Sequence, residues 1–153
     1  MLLSQTQLLH SSVEIGSISE VRGNAQVLRD KAYGAELPFN IQQMDDVRTE
    51  SGRVAITFQD ESTVKLTEHS KLVIDEYIYD PDPSKSKMAL KFASGTARFI
   101  TGKFNNKSNI SIRTPTASIA IRGTDFTCTV DELGRSLVIL LPDENGISSG
   151  EII

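Results

Sequence analysis

The chain has 153 residues, a net charge of −4, one cysteine and no tryptophan. That length suits one domain with a sizeable core. The acidic balance and scattered Lys and Arg argue against nucleic-acid binding, which calls for a basic patch or stacking aromatics, and the lone Cys128 excludes an intramolecular disulfide and a cysteine-rich zinc site.

Residues 1–12 set Leu2, Leu3, Leu8 and Leu9 among Ser, Thr and Gln. They read as a locally packed or frayed terminus, with an arm that finishes on another subunit as the alternative. No basic n-region precedes an apolar core, so no secretory signal is expected. No stretch reaches the roughly 20 apolar residues of a membrane span. The expected place of the chain is the cytoplasm where it is made, or a virion. If it was trimmed from a membrane-anchored regulator, the expected place is the periplasm.

From Val13 onward a two-residue alternation sets in. Ile15, Ile18 and Val21, then Ala25 and Val27 beyond Gly23, suggest an opening hairpin. Residues 32–43 read as irregular. Residues 53–58, 62–67 and 71–74 each follow a polar turn and look like successive rungs or meander strands. The last of these is expected to run on through Tyr77 and Tyr79. Asp80 to Lys87, with two prolines, reads as an exposed hairpin tip. Met88, Leu90 and Phe92 form a strand, Ser94-Gly95 a turn, and Ala97 and Phe99 the next strand. Residues 102–109 are a polar loop.

The stretch from Thr114 to Phe126, with the alternating runs on either side of it, organises the whole. Ile110, Ile112 and Thr114 share one face, and Pro115, which lacks a ladder donor, ends that strand. Ile119 and Ile121 face one way, and Ser118, Ala120 and Arg122 the other. Gly123 supplies a corner, after which Phe126, Cys128 and Val130 restart the apolar face. Leu137, Ile139 and Leu141 follow and Pro142 stops them. Such spacing, without a sustained helical period, predicts an all-β fold: a two-layer sandwich or a short flattened β-solenoid or roll of many short strands.

No catalytic constellation stands out. Glu68-His69-Ser70 sets acid, base and nucleophile side by side, but triads are made by geometry and not adjacency, so His69 reads as a solvated turn residue. Cys128 reads as a buried small hydrophobe. Asp80 and Asp82 suit a solvated loop better than calcium, because Lys85 and Lys87 stand beside them. No metal or cofactor is expected. Arg98, Arg113 and Arg122 are the candidate partner-binding residues, as a basic strip for an acidic surface. The plainer reading has Arg122 holding a carboxylate such as Asp125 or capping its turn.

The run Thr114-Pro115-Thr116-Ala117 through Arg122-Gly123-Thr124-Asp125-Phe126 resembles the FecR-like domain family, named for a periplasmic regulator of iron-citrate transport. Gly16 through Val27 is similar to the family's first hairpin. Asp46-Val47-Arg48-Thr49 and the segment Ala55 to Ser62 are similar to its middle strands. Segments 70–74 and 94–98 are similar to its later ones. The resemblance spans roughly residues 13–141, dividing the chain into an arm (1–12) and a FecR-like β domain (13–153). Two turns depart from the pattern: the family often has Gly near Met44 or Asp45 and at the position of Glu61. Family regulators also carry a sigma-factor-binding segment and a membrane span before this domain.

The resemblance implies an all-β module for protein contacts. The leading expectation is a non-enzymatic structural or interaction module, a subunit of an assembly such as a phage virion or tail. Its partners would be other protein subunits, self-association included, meeting loops 80–87, 102–109 and 142–150 and free edge strands. The alternative is the sensor or signal-transducing domain of a FecR-like anti-sigma regulator. A sugar-binding face would need outward aromatics, for which Tyr77 and Tyr79 are the candidates.

Overall fold

A computed structural model describes residues 14–82, 85–101, 109–122, 125–142 and 151–152. The expected N-terminal arm, the Gly123 corner and most of loops 102–109 and 142–150 lie outside these residues. The strands, in chain order, are β1 (Glu14–Arg22), β2 (Ala25–Leu28), β3 (Ala32–Gly34), β4 (Phe39–Gln42), β5 (Asp46–Thr49), β6 (Arg53–Phe58) and β7 (Thr63–Leu66). They continue with β8 (Lys71–Ile78), β9 (Lys87–Ile100), β10 (Asn109–Arg113), β11 (Ser118–Arg122), β12 (Phe126–Val130), β13 (Ser136–Leu140) and β14 (Glu151–Ile152). No helix among the described residues is long and apolar enough to cross a membrane.

The strands form one continuous sheet that folds back on itself. Layer A runs β4-β1-β6-β7-β9-β12-β13. Layer B runs β3-β2-β5-β8-β9-β10-β11-β14. Every pairing is antiparallel except β9 with β10. The all-β class therefore holds, and the sandwich describes it. A solenoid of stacked rungs does not, because rungs stacked coil on coil pair in parallel, and β9 with β10 is the one parallel pair among the described strands.

Strand β9 is the crease. Its first half pairs with β8 and β10 in layer B, its second half with β7 and β12 in layer A. The buried positions change parity across the bend: Met88, Leu90 and Phe92 before it, Ala97 and Phe99 after it. Gly95 makes this possible. Its φ is +96°, and a Cβ there would sit 2.6 Å from the Cα of Ser70. The expected turn at Ser94-Gly95 is thus a bend within one strand.

Both layers contribute to one core. Phe58 of layer A stacks on Tyr77 of layer B at 5.1 Å, and Phe99 stacks on its cross-strand neighbour Phe126 at 4.4 Å. Each fully buried side chain such as Phe92, Leu72 or Ile56 contributes about 1.5–3 kcal/mol by leaving water.

Three further expectations need correction. The pair β1 and β2 is not a hairpin. Gly23, at φ +70°, carries the chain from layer A to layer B, where β2 joins β3 and β5. The three-residue spacing of Ile15, Ile18 and Val21 reflects two bulges in β1, which bring Ile15 and Ile18 both inward. The segments 53–58, 62–67 and 71–74 are not successive neighbours either. The first two pair as β6–β7, but His69, at φ +54°, turns the chain into layer B, where β8 pairs with β5 and β9. Residues 32–43, read as irregular, hold the short edge strands β3 and β4.

Polar side chains secure the corners. Thr49 Oγ1 accepts from the Ser70 amide (2.9 Å) and donates to the Thr67 carbonyl (2.6 Å). Ser70 Oγ accepts from the Thr96 amide (3.2 Å) beside the crease. The Asp45 carboxylate, fully buried, takes two 2.7 Å bonds from the Arg29 guanidinium and a third from the Gln42 amide (2.8 Å). Arg29 in turn lies over the rings of Tyr33 and Phe39. Met44, just before Asp45, has φ +73°, and Glu61 has φ +67°. Both occupy left-handed turns at the positions where the sequence departs from a glycine pattern.

The stretch expected to organise the chain lies at one end of the sandwich, and the strand that joins both layers is β9 instead. β10 and β11 form the expected hairpin. Thr114 Oγ1 accepts from the Ala117 amide (3.0 Å) and lies 2.5 Å from Ser136 Oγ. Thr116 Oγ1 donates to the Gly134 carbonyl (2.6 Å). The Thr-Pro-Thr-Ala turn of layer B is thereby fastened to the β12–β13 turn of layer A.

Candidate protein-contact faces

His69 is exposed on its turn, while the neighbouring Ser70 hydroxyl is buried and committed to Thr96. Cys128 is fully buried, and desolvation pushes its thiol up to about 11. Asp80 Oδ1 accepts from the Asp82 amide (2.8 Å), so this carboxylate organises its own loop. Tyr77 cannot join an outer aromatic face, because it is buried against Phe58 and its hydroxyl accepts from the Asp60 amide (3.1 Å). Burial also raises its phenol above the ordinary value. Of the two tyrosines only Tyr79 is exposed. Among the described residues no group of three or more His, Cys, Asp or Glu is placed to hold a metal ion.

The three candidate arginines divide between the two outer faces. Arg98 points out from layer A. Its cross-strand neighbours are Lys65 on β7 and Thr127 on β12. Lys65 in turn stands opposite Ala55 on β6, whose other neighbour is Glu20 on β1. This row crosses a trough of about 270 Å³, bordered by Arg53, Lys65 and Arg98 and floored by Ala55. Glu20 is the carboxylate in its lining, and it lies 3.5 Å from Arg22. None of Arg53, Lys65 and Arg98 has a carboxylate within ion-pair distance among the described residues.

Arg113 and Arg122 share the outer face of layer B, as expected if their strands pair. The register sets Arg113 opposite Ser118 and Arg122 opposite Asn109, about 13 Å apart along the hairpin. Between them Ala89, Ser111 and Ala120 form one row of small residues. This row floors a second trough of about 240 Å³, rimmed by Asp75, Lys91 and Arg113. Here the lysines are answered in place: Lys87 by Glu76 at 3.0 Å and Lys91 by Asp75 at 3.7 Å. Asp125 accepts from both the amide and the hydroxyl of Thr101, at 2.8 and 2.9 Å. The single strip of Arg98, Arg113 and Arg122 therefore does not form, since Arg98 belongs to the opposite layer.

Arg53 and Lys65 were missed as companions of Arg98. Each lies at an outward position of an alternating strand, which is legible, but only the β6–β7–β9 register brings them together.

These features define an all-β domain of two layers joined through one creased strand, with outward troughs of unequal charge. The family model described as FecR protein matches residues 45–142, more than half of the chain, and the chain belongs to that family. The match takes in β5 through β13 and leaves β1 to β4 ahead of it and β14 behind it. No curated protein matches the chain, and no solved structure does.

Proposed function

We propose that this chain is the sensor or signal-transducing domain of a FecR-type regulator, acting without catalysis by docking an acidic segment of a partner protein on the outer face of layer A. Family membership supports the regulator reading over a virion or tail component, for which nothing observed speaks. On this reading the domain stands on the periplasmic side, where FecR-type regulators work.

One observation carries the choice of face: Lys65 and Arg98 are direct cross-strand neighbours. Like charges placed opposite each other on a sheet oppose folding. Carboxylates brought by a partner would turn that repulsion into attraction and would speed encounter at low salt. Ala55 leaves room between the long cationic side chains for an extended segment to lie.

The test is deletion of the coding sequence in the source bacterium, followed by complementation and transcript measurement. The wild-type gene and a Lys87→Glu/Lys91→Glu variant are expected to restore regulation of the sigma-dependent transcripts. An Arg53→Glu/Lys65→Glu/Arg98→Glu variant of unchanged melting temperature is expected not to. Transcripts indifferent to the deletion would refute the regulator reading, and full rescue by the triple variant would refute the face.

A further inference from the structure

Strand β13 ends layer A, and among the described strands it pairs on one side only, with β12. The backbone bonds beyond its ends fix which groups point to the open side. The Leu141 amide donates to the Asp125 carbonyl (2.8 Å), and the Asp131 amide donates to the Arg135 carbonyl (3.0 Å). Hydrogen-bonded positions alternate along an antiparallel pair, so Arg135, Leu137, Ile139 and Leu141 direct their backbone groups toward β12. Ser136, Val138 and Leu140 therefore direct N–H and C=O to the free edge.

The side chains add to this. Leu137 is 60% exposed and Ile139 50%, both on the outer face, with Leu133 at 74% in the adjoining turn. No charged residue occurs from Ser136 to Pro142. Natural edge strands are guarded by shortness, charge or proline, and the other edges here follow that rule. β3 has three residues between Lys31 and Glu36, β4 follows Pro38, and β14 has two residues. β13 has none of these guards along its length.

We infer that β13 is a self-association edge, which pairs antiparallel with β13 of a second copy about a two-fold axis at Val138. The sequence is self-complementary in that register. Val138 faces Val138 of the second copy, and Ser136 faces Leu140, all at positions whose backbone groups point outward and can exchange bonds. Leu137 meets Ile139 of the second copy at the closer, non-hydrogen-bonded positions, where apolar pairs contribute most. No like charges meet: Arg135 would face Leu141, and its guanidinium is already bound to Asp131 at 2.7 Å. A single shared edge buries far less than the ~2,000 Å² or more of obligate dimers, so the pair is weak and reversible. It would extend layer A of both copies into one sheet, with the two Arg98 troughs on a common face. This inference stands independently of the regulator reading.

The test is sedimentation velocity on the full chain over a concentration series reaching millimolar. A monomer–dimer equilibrium is expected, weakened at least about tenfold by Leu137→Lys/Ile139→Lys, which sets lysines opposite each other. Both positions are half exposed, so the melting temperature is expected to hold. Register is read separately by mixing a Leu137→Cys chain with an Ile139→Cys chain under mild oxidation. Disulfide heterodimers are expected from the mixture and not from either variant alone; Cys128 is buried and does not interfere. Monomers at every concentration, a dimer indifferent to the lysines, or cross-linking equal in single and mixed samples would overturn the inference.

Discussion

The two outer faces carry cations to different ends. On layer B each lysine of β9 has an acidic neighbour on β8, so the charge is matched within the chain. On layer A Lys65 stands opposite Arg98, and Arg22 opposite Arg53, with Glu20 the acid in their midst. Exposed matched pairs add little to stability, commonly about 0–1 kcal/mol. Opposed like charges detract from it. A fold that keeps them while carrying a net charge of −4 has acidic residues enough to balance them and does not place them there. On the reading proposed above, position and not net charge marks the surface offered to a partner.

The most damaging way to break the comparison is to remove the crease that separates the faces. Gly95→Ala forces a Cβ into the backbone of Ser70 at a left-handed φ. We expect a loss of about 3 kcal/mol or more, measured by urea denaturation. Asp45→Ala comes next, because it strips a buried partner from Arg29, whose side chain is 27% exposed. The expected loss is about 3 kcal/mol, somewhat moderated by solvent at the arginine.

Alkali attacks the core shared by the two faces. Burial raises the folded-state values of both Tyr77 and Cys128, so their contribution is complete below the unfolded-state values of 9.0 for Cys and 10.0 for Tyr. It is lost as pH climbs from there through the folded-state values, because the unfolded chain ionises first. Melting temperature is therefore expected to fall steadily above pH 9, and Tyr77→Phe to lessen the fall above pH 10.

Two smaller changes sharpen the contrast in the opposite sense. Glycine at Met44 or Glu61 relieves a left-handed backbone and is expected to stabilise by about 0.5–1 kcal/mol. Lys65→Glu converts a repulsive cross-strand pair into an attractive one. It is expected to raise stability by about 0.5 kcal/mol while weakening partner binding. A gain in folding joined to a loss of function is the signature of a residue kept for contact, and thermal melts on the purified chain measure the first half of it.

Much of this was legible in the sequence. The alternation at Val54, Ile56 and Phe58, or at Phe126, Cys128 and Val130, follows from the two-residue period of strands and predicts burial directly. The β10–β11 hairpin was legible too, because Pro115 and the small polar residues around it end one strand before the next begins. What the sequence did not disclose was layer membership. Gly23, His69 and Gly95 look like ordinary turns, yet each passes the chain to the opposite layer, and the difference lies in long-range pairing. Asp45 stands beside Asp46 in the sequence with nothing to mark it for burial, and only the fold brings Arg29 to it. The candidate site suffered the same limit: Arg113 and Arg122 were chosen by outward alternation and Arg98 by its nearness in sequence, and neither says which of two outer faces a strand supplies.

The most direct test of the account is site-specific photo-cross-linking in the source organism, with benzoylphenylalanine placed at Thr67 on the layer A trough or at Ser118 on the layer B trough. The account predicts that Thr67 captures one defined protein, that the product disappears with the Arg53→Glu/Lys65→Glu/Arg98→Glu variant, and that Ser118 gives none. A defined product from Ser118 with none from Thr67 would contradict it.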